Sequence, residues 1–324
     1  MKHEKPLASI SLDLDNLWAY LKVKEDSRWM QLPSYFEFFI PYVLDILDET
    51  NLKITFFIVG QDADQSENKD LLKEIVNRGH EVANHSYYHE PWLCQYSQEK
   101  LEHEILIAEE KIYEATGQHP IGFRGPGFAW SPQLLQLLSE RNYLYDSTTF
   151  PTFLGPLARA YYQWKTKLSK DSQESRSKLY GSFADGFRSL QPYLWNLDKE
   201  NQLLEIPVTT IPIIRFPFHM TYLMYLWSVS PALMRMYFQT ALQACRITQT
   251  GPNFLLHPTD FLGIDRVPEM DFFPGMDVQT CEKKEVFLEV ISKIKSNFYC
   301  VNMSERARKA LEKREELSLK EGKG

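Results

Sequence analysis

The chain has 324 residues, of which 44% are hydrophobic and 24% charged, a composition that excludes a disordered or fibrous protein and allows a large buried core. Its net charge of -7 argues against a general nucleic-acid binder, and no stretch has the pattern of a nucleic-acid motif. Cys94, Cys245, Cys281 and Cys300 are scattered without CxxC spacing, which argues against a thiolate zinc knuckle or a disulfide framework and fits a reducing compartment.

The opening "MKHEKPLASISLDLDN" has no apolar h-region, so a cytoplasmic protein without a secretory signal is expected. "LASISLD" alternates and predicts a first strand ending at Asp13; "PSYFEFFIPYVLDILDETN" predicts a helix with Pro33 near its start. "LKITFFIVG" and "NKDLLKEIVNRG" add a strand and a helix closed by Gly79. The rhythm continues through "EVANH", a long helix to "YEATG", "IGFRGP", a helix from "SPQLLQLLSERN" and a strand at "YLYDS". Past an irregular excursion at 150–201, "LLEIPVTTIPI" and "NFLLHP" have strand character. "KKEVFLEVISKIKS" and "NFYCVN" read as helix then strand, and 303–324 as a charged helix and tail. A single elaborated domain over 1–302 is expected.

Residues 211–245 form the most apolar segment. Pro217, Pro231, Arg215 and Arg235 leave too short a clean run for a firm membrane span, so a buried or capping helix and a lipid-contacting surface element stand beside that reading.

Polar residues gather just after the strand-like runs, at the carboxyl ends that share one rim in parallel α/β folds. If the residues after Asn84 enter a helical turn, His85 and His89 of "NHSYYHEPW" fall on one face and can reach one metal ion; an aromatic-rich helix start with two uncoordinated histidines is the plainer reading. Asp13 and Asp15, two apart in "SLDLDN", point the same way from an extended backbone, one toward a metal and one toward a proton, or they cap the adjoining loop. His257, held extended before Pro258, suits an acid or base, or a buried histidine on a carbonyl. Arg124 in "GFRGPGFAW" is aimed at a carboxylate or makes a structural ion pair; its glycines lack phosphate-loop spacing. His219 and the tryptophans Trp92, Trp130 and Trp195 suit either substrate contact or packing.

Together "SLDLDN", "HSYYH", "FRGPGF", "YLYDSTTF" and "LLHP" resemble the motifs of the polysaccharide deacetylase family, also called the NodB homology domain or carbohydrate esterase family 4, in a D-x-D, intracellular form. The resemblance implies a distorted (β/α) barrel of about seven strands and one divalent metal, zinc foremost, held by Asp15, His85 and His89. It further implies Asp13 as base, Arg124 as its partner, and His257 as general acid; Asp146 falls on the strand-end D-S segment, with a structural role as the other reading, and the partner of His257 is unassigned. The implied reaction removes an N-acyl group, N-acetyl foremost, from an intracellular or lipid-linked amino sugar. A polyprenyl phosphate carrier would bring peripheral contact with the inner face of the membrane. The alternatives are a hydrolase of a small linear amide and a catalytically silent carbohydrate-binding relative. Oligomeric state is not encoded in these motifs.

Overall fold

The computed structural model describes residues 5–154, 183–197 and 202–321, so the polar stretch at 167–182 and most of the expected excursion lie outside the described residues. Nine strands are described: β1 (Leu7–Leu14), β2 (Thr55–Ile58), β3 (Glu81–Asn84), β4 (Gly122–Phe123), β5 (Tyr145–Asp146), β6 (Tyr193–Asn196), β7 (Gln202–Glu205), β8 (Asn253–Leu256) and β9 (Tyr299–Val301). They form one sheet in the order β6-β7-β5-β4-β3-β2-β1-β8, with β9 on β1; every pairing is parallel except β6 with β7.

The ends of that path curl together. Thr209 N–H donates to Asn253 O at 3.1 Å, and the Asn253 side-chain amide donates to Ser147 Oγ and Ile206 O. β1 to β5, β7 and β8 therefore make a curled, distorted ring of seven strands whose ends are joined by these bonds from the segment after β7 and not by strand pairing, with β6 and β9 as appendages.

The alternation in "LASISLD" sorts β1 between two environments. Ala8, Ile10, Leu12 and Leu14 join the large outer core with the helices. Ser9, Ser11 and Asp13 meet Asn253, Arg306 and Arg124 in the ring interior.

The helices are α1 (Leu17–Val23), α2 (Phe36–Glu49), α3 (Gly60–Ala63), α4 (Lys69–Asn77), α5 (Gln98–Thr116), α6 (Pro132–Glu140), α7 (Met220–Val229), α8 (Pro231–Ile247), α9 (Thr280–Asn297) and α10 (Met303–Glu321). Ser-Pro starts both α6 and α8: Ser131 and Ser230 take the N–H of Leu134 and Leu233, and proline occupies the first turn, where its missing N–H is no loss. In α2 the residues Phe36, Phe39, Ile40, Val43, Leu44 and Leu47 are buried, each worth roughly 1.5–3 kcal/mol. Pro41 stands on the exposed side, away from that packed face.

The C-terminal helix α10 begins inside the molecule. Met303 and Ala307 pack with Phe57, Ala83 and Tyr145, while Arg306 donates to Ser9 Oγ, Pro252 O and Gly251 O. It plugs the lower mouth of the ring and leaves the upper rim, at the carboxyl ends of the strands, open for chemistry.

The apolar stretch becomes a turn between the bridged residues Thr210 and Pro217, followed by α7 and α8. Among the described residues no helix is long and apolar enough to cross a membrane.

Candidate active site

Asp13 is the last inward-facing residue of β1, and Asp15 lies just beyond the strand. Asn16 ties the end of β1 to its surroundings: its Oδ1 accepts from Leu17 and Tyr35 N–H, and its Nδ2 donates to Ser34 Oγ and Asp62 Oδ1. The Tyr35 hydroxyl donates to the Asp15 carbonyl. All of the Asn16 amide's polar capacity thus goes into holding one aspartate at the rim.

His85 and His89 come after β3, but the expected helical turn is not there. Ser86 and His89 have φ of 63° and 52°, a left-handed backbone no α-helix contains. The N–H groups that a helix would use are taken elsewhere: Ser86 gives its own to Asn84 Oδ1, and Tyr87 and Tyr88 give theirs to Glu104 Oε1 at 3.0 and 2.7 Å. Gly60 and Gln61 N–H occupy the carbonyls of Ser86 and Tyr87. The two imidazoles meet because a pinned loop turns them inward; helical periodicity plays no part.

Nε2 of His89 lies 3.0 Å from Asp15 Oδ1 and Nε2 of His85 lies 3.6 Å from it, and the three ligand atoms fall within 4.8 Å of one another. His85 Nδ1 is 2.6 Å from Arg124 O; since a carbonyl only accepts, Nδ1 carries the proton and Nε2 faces inward with a lone pair. Asp15 Oδ1 is shielded from solvent and has no donor in hydrogen-bond geometry despite the nearby His89. Two imidazoles and a carboxylate with an unsatisfied oxygen fit a divalent cation, and the nitrogen-rich donor set suits zinc.

Burial opposes charge on Asp15, yet His89, His85 and His257 outweigh it and hold the carboxyl at about 2. Burial lowers the pKa of His85; for His89 burial is overcome by the Asp15 carboxylate, which raises it.

Arg124, wholly buried, donates from Nη1 to Asp13 Oδ1 at 2.5 Å and to Ser11 Oγ at 3.0 Å; Nη2 and Nε go to Ser147 Oγ and O. Its guanidinium lies over the Phe57 ring at 4.1 Å. Gly125 behind it admits no side chain, since a Cβ would come within 2.6 Å of Ala129 O. Asp146 is not in the Asp15, His85 and His89 group and braces this loop: Thr148 donates to Asp146 Oδ1 and accepts from Gly125 N–H.

Asp13 Oδ2 is left facing the cleft, 3.9 Å from His85 Nε2 and 4.0 Å from His257 Nε2. His257 is the more open of these groups, its side chain 20% exposed against 3% for His85. Its Nδ1 meets Thr221 Oγ1 at 3.2 Å and Asp260 Oδ2 at 3.9 Å, and Asp260 also accepts the His257 backbone N–H.

Thr221, Asp260 and Glu104 were not singled out from the sequence. The i,i+3 spacing of His257 and Asp260 around Pro258 is a capping pattern that offered a local signal; Thr221 and Glu104 had none. Trp130 and Trp195 pack against each other with Arg188 over both rings. The tryptophan beside the site is Trp18, edge-on to His89 and bonded to Asp62.

Residues 28–145 match the polysaccharide deacetylase family. Over 106 residues the chain is 32% identical to a peptidoglycan-N-acetylglucosamine deacetylase of Bacillus cereus, covering 33% of this chain and 38% of that protein. Over 101 residues it is 36% identical to a chitooligosaccharide deacetylase of Sinorhizobium fredii, covering 30% and 44%. The chain therefore spans less than half the length of these curated relatives. A solved structure from Mycobacterium smegmatis, assigned as a polysaccharide deacetylase, has the same fold, with a TM-score of 0.61 at 20% identity over 97% of this chain and 93% of that one. The matched segment carries His85, His89 and Arg124; Asp13, Asp15 and His257 lie outside it and join them through the fold.

Proposed function

We propose that this chain, matched through residues 28–145 to the polysaccharide deacetylases, is a metal-dependent hydrolase that removes an N-acyl group from an amino sugar. The observation that carries the reading is the convergence of Asp15, His85 and His89 beside Asp13 and His257 in one cleft. A divalent ion held by Asp15, His85 and His89, zinc by its donor set, supplies Lewis-acid polarisation and a more acidic water.

The rest of the chemistry belongs to side chains. Asp13, held by Arg124 through Oδ1, accepts at Oδ2 the proton of the attacking water. His257 delivers a proton from Nε2 to the departing nitrogen, which cannot leave as an anion; Thr221 and Asp260 hold the ring from its Nδ1 side. Water and amide thus become acetate and a free amine, with the C–N bond broken and a C–O bond formed.

The relatives named for peptidoglycan-N-acetylglucosamine and chitooligosaccharide support an N-acetylated amino sugar as substrate. A lipid-linked, polyprenyl phosphate-borne sugar is favoured within that class because α7, which contacts His257 through Thr221, begins the apolar hairpin.

Metal content per chain, measured on the wild type and on H85A/H89A, tests the centre: equal stoichiometry in both sinks the site. Acetate release from N-acetyl sugars, lipid-linked sugars and linear ureides tests the substrate, and turnover of ureides alone removes the sugar assignment. Asp13→Asn should lower turnover by roughly 10²–10⁴-fold with metal retained, whereas Asp15→Asn should lose both.

A further inference from the structure

Beyond the cleft, the turn at 213–216 and the corner between α7 and α8 present apolar side chains outward. Ile213 is 82% exposed, Val229 63% and Met236 65%, with Ile214, Phe216 and Leu233 also open. The two parts are tied together, since the hydroxyl of Tyr237, next to Met236, donates to Pro217 O at 2.6 Å at the neck of the turn. Helix α8 already commits Met234, Phe238, Ala241, Leu242 and Cys245 to the core, so Leu233 and Met236 belong to a different face. Single apolar residues scatter over any surface; a cluster on one turn and its adjoining helix corner marks a contact.

Charge identifies the occupant. From Ile206 to Thr259 the chain has no Asp or Glu but three arginines, 215, 235 and 246, in a protein of net charge -7. Arg235 pairs with Glu289, which Lys293 also contacts, so this group keeps an excess positive charge. Arg215 stands within the apolar turn, and its Nη1 is buried without a hydrogen-bond partner among the described residues. Nη1 is closed to solvent, so it is the open remainder of this half-buried side chain, flanked by exposed Ile214 and Phe216 and with no charge partner among the described residues, that suits an anion arriving with an apolar phase.

We propose that the turn at 213–216 and the α7–α8 corner rest on an anionic phospholipid bilayer, the apolar side chains in the acyl boundary and Arg215 on a lipid phosphate. The proposal rests on the hydrolase reading of the cleft: the ring of His219, just before α7, lies 5.9 Å from that of His257 at a tilt of 55°, and Thr221 of α7 contacts His257 Nδ1, so the chain of the docked turn leads directly to the site. A lipid-borne amino sugar then reaches the site without leaving the membrane surface.

The test is sedimentation of the full chain with phosphatidylcholine vesicles, with or without phosphatidylglycerol. Binding should be about tenfold stronger with phosphatidylglycerol at low salt, and about tenfold weaker for the Ile213→Asp/Val229→Asp pair, with a smaller loss for Arg215→Gln. Circular dichroism and Tm should be unchanged, since the paired positions are exposed. No sedimentation, or equal sedimentation of wild type and the pair, overturns the proposal. So does a dimer in light scattering that the pair abolishes, which would assign the face to a second copy. Acetate release from water-soluble N-acetyl sugars and from lipid-linked sugars in detergent micelles, assayed alongside, separates the claims: vesicle binding with no release from either class sinks the hydrolase and leaves the surface, while release without vesicle binding sinks the surface alone.

Discussion

Two arginines are buried at opposite ends of the same ring, and they are compensated differently. Arg124, at the upper rim, directs Nη1 to the Asp13 carboxylate and its other nitrogens to Ser147. Arg306, at the lower mouth, faces only neutral oxygens, those of Ser9, Pro252 and Gly251, and burial pulls its pKa down to about 10. A guanidinium held by carbonyl dipoles is a plug; one held by a carboxylate whose second oxygen remains open is half of a reactive pair. Burial of charge does not by itself mark a site, and an unsatisfied polar atom next to it does.

The sharpest test replaces the upper arginine. Arg124→Met leaves Asp13 buried and unpaired, at a cost of about 3–5 kcal/mol, and turnover should fall at least about 10²-fold as Asp13 loses the partner that aims it. Urea melts and initial rates read the two effects. At the lower end Arg306→Met should cost about 1–3 kcal/mol for stranded carbonyls while turnover stays within about twofold. A large fall in turnover at full metal occupancy would abolish the distinction between plug and site.

Smaller effects refine the same contrast. Asp260→Asn should slow turnover about tenfold by loosening His257, with metal content intact; unchanged rates would leave Thr221 as the sole support.

The Asp146 and Glu205 carboxyls give a pH signature outside the candidate metal group of Asp15, His85 and His89. Burial raises both, helped at Glu205 by the charge of Asp146, so the folded pair retains a proton that the unfolded chain releases. With folded pKa above unfolded, their contribution is complete below the ordinary carboxylate range and is lost as pH rises through the raised values. The slope is up to about 1.4 kcal/mol per pH unit while one proton separates the states. Asp146→Asn, which supplies an N–H in place of that proton, should flatten the decline in melts compared between pH 5 and pH 8. An equally steep decline in the variant would remove the pair as its cause.

Much of this was legible because it is local. Alternation in "LASISLD" sorted β1 correctly, and strand-end polar residues shared one rim as parallel topology requires. What escaped depends on distant partners. "HSYYH" invited a helical reading because spacing is visible and Glu104, which takes its N–H groups, lies on the next helix. Arg306 sits in "SERARKAL", indistinguishable by composition from a solvated charged face, and only the closure of the ring reveals that it is interior. Helix α1 and strand β6 were too short to give a periodic signal.

The placement of β1 also orders events in time. Ser9 of β1 finds Asn253 244 residues later and Arg306 297 residues later, and the strand pairs with β8 and β9, which come after every other strand described. During synthesis Asp15, His85 and His89 are all outside the ribosome long before β8 or β9, the late partners of β1, has been translated. Ring closure is consequently a late, entropically expensive step. Until it occurs, an early-caught ion would serve as a clasp on a half-built sheet.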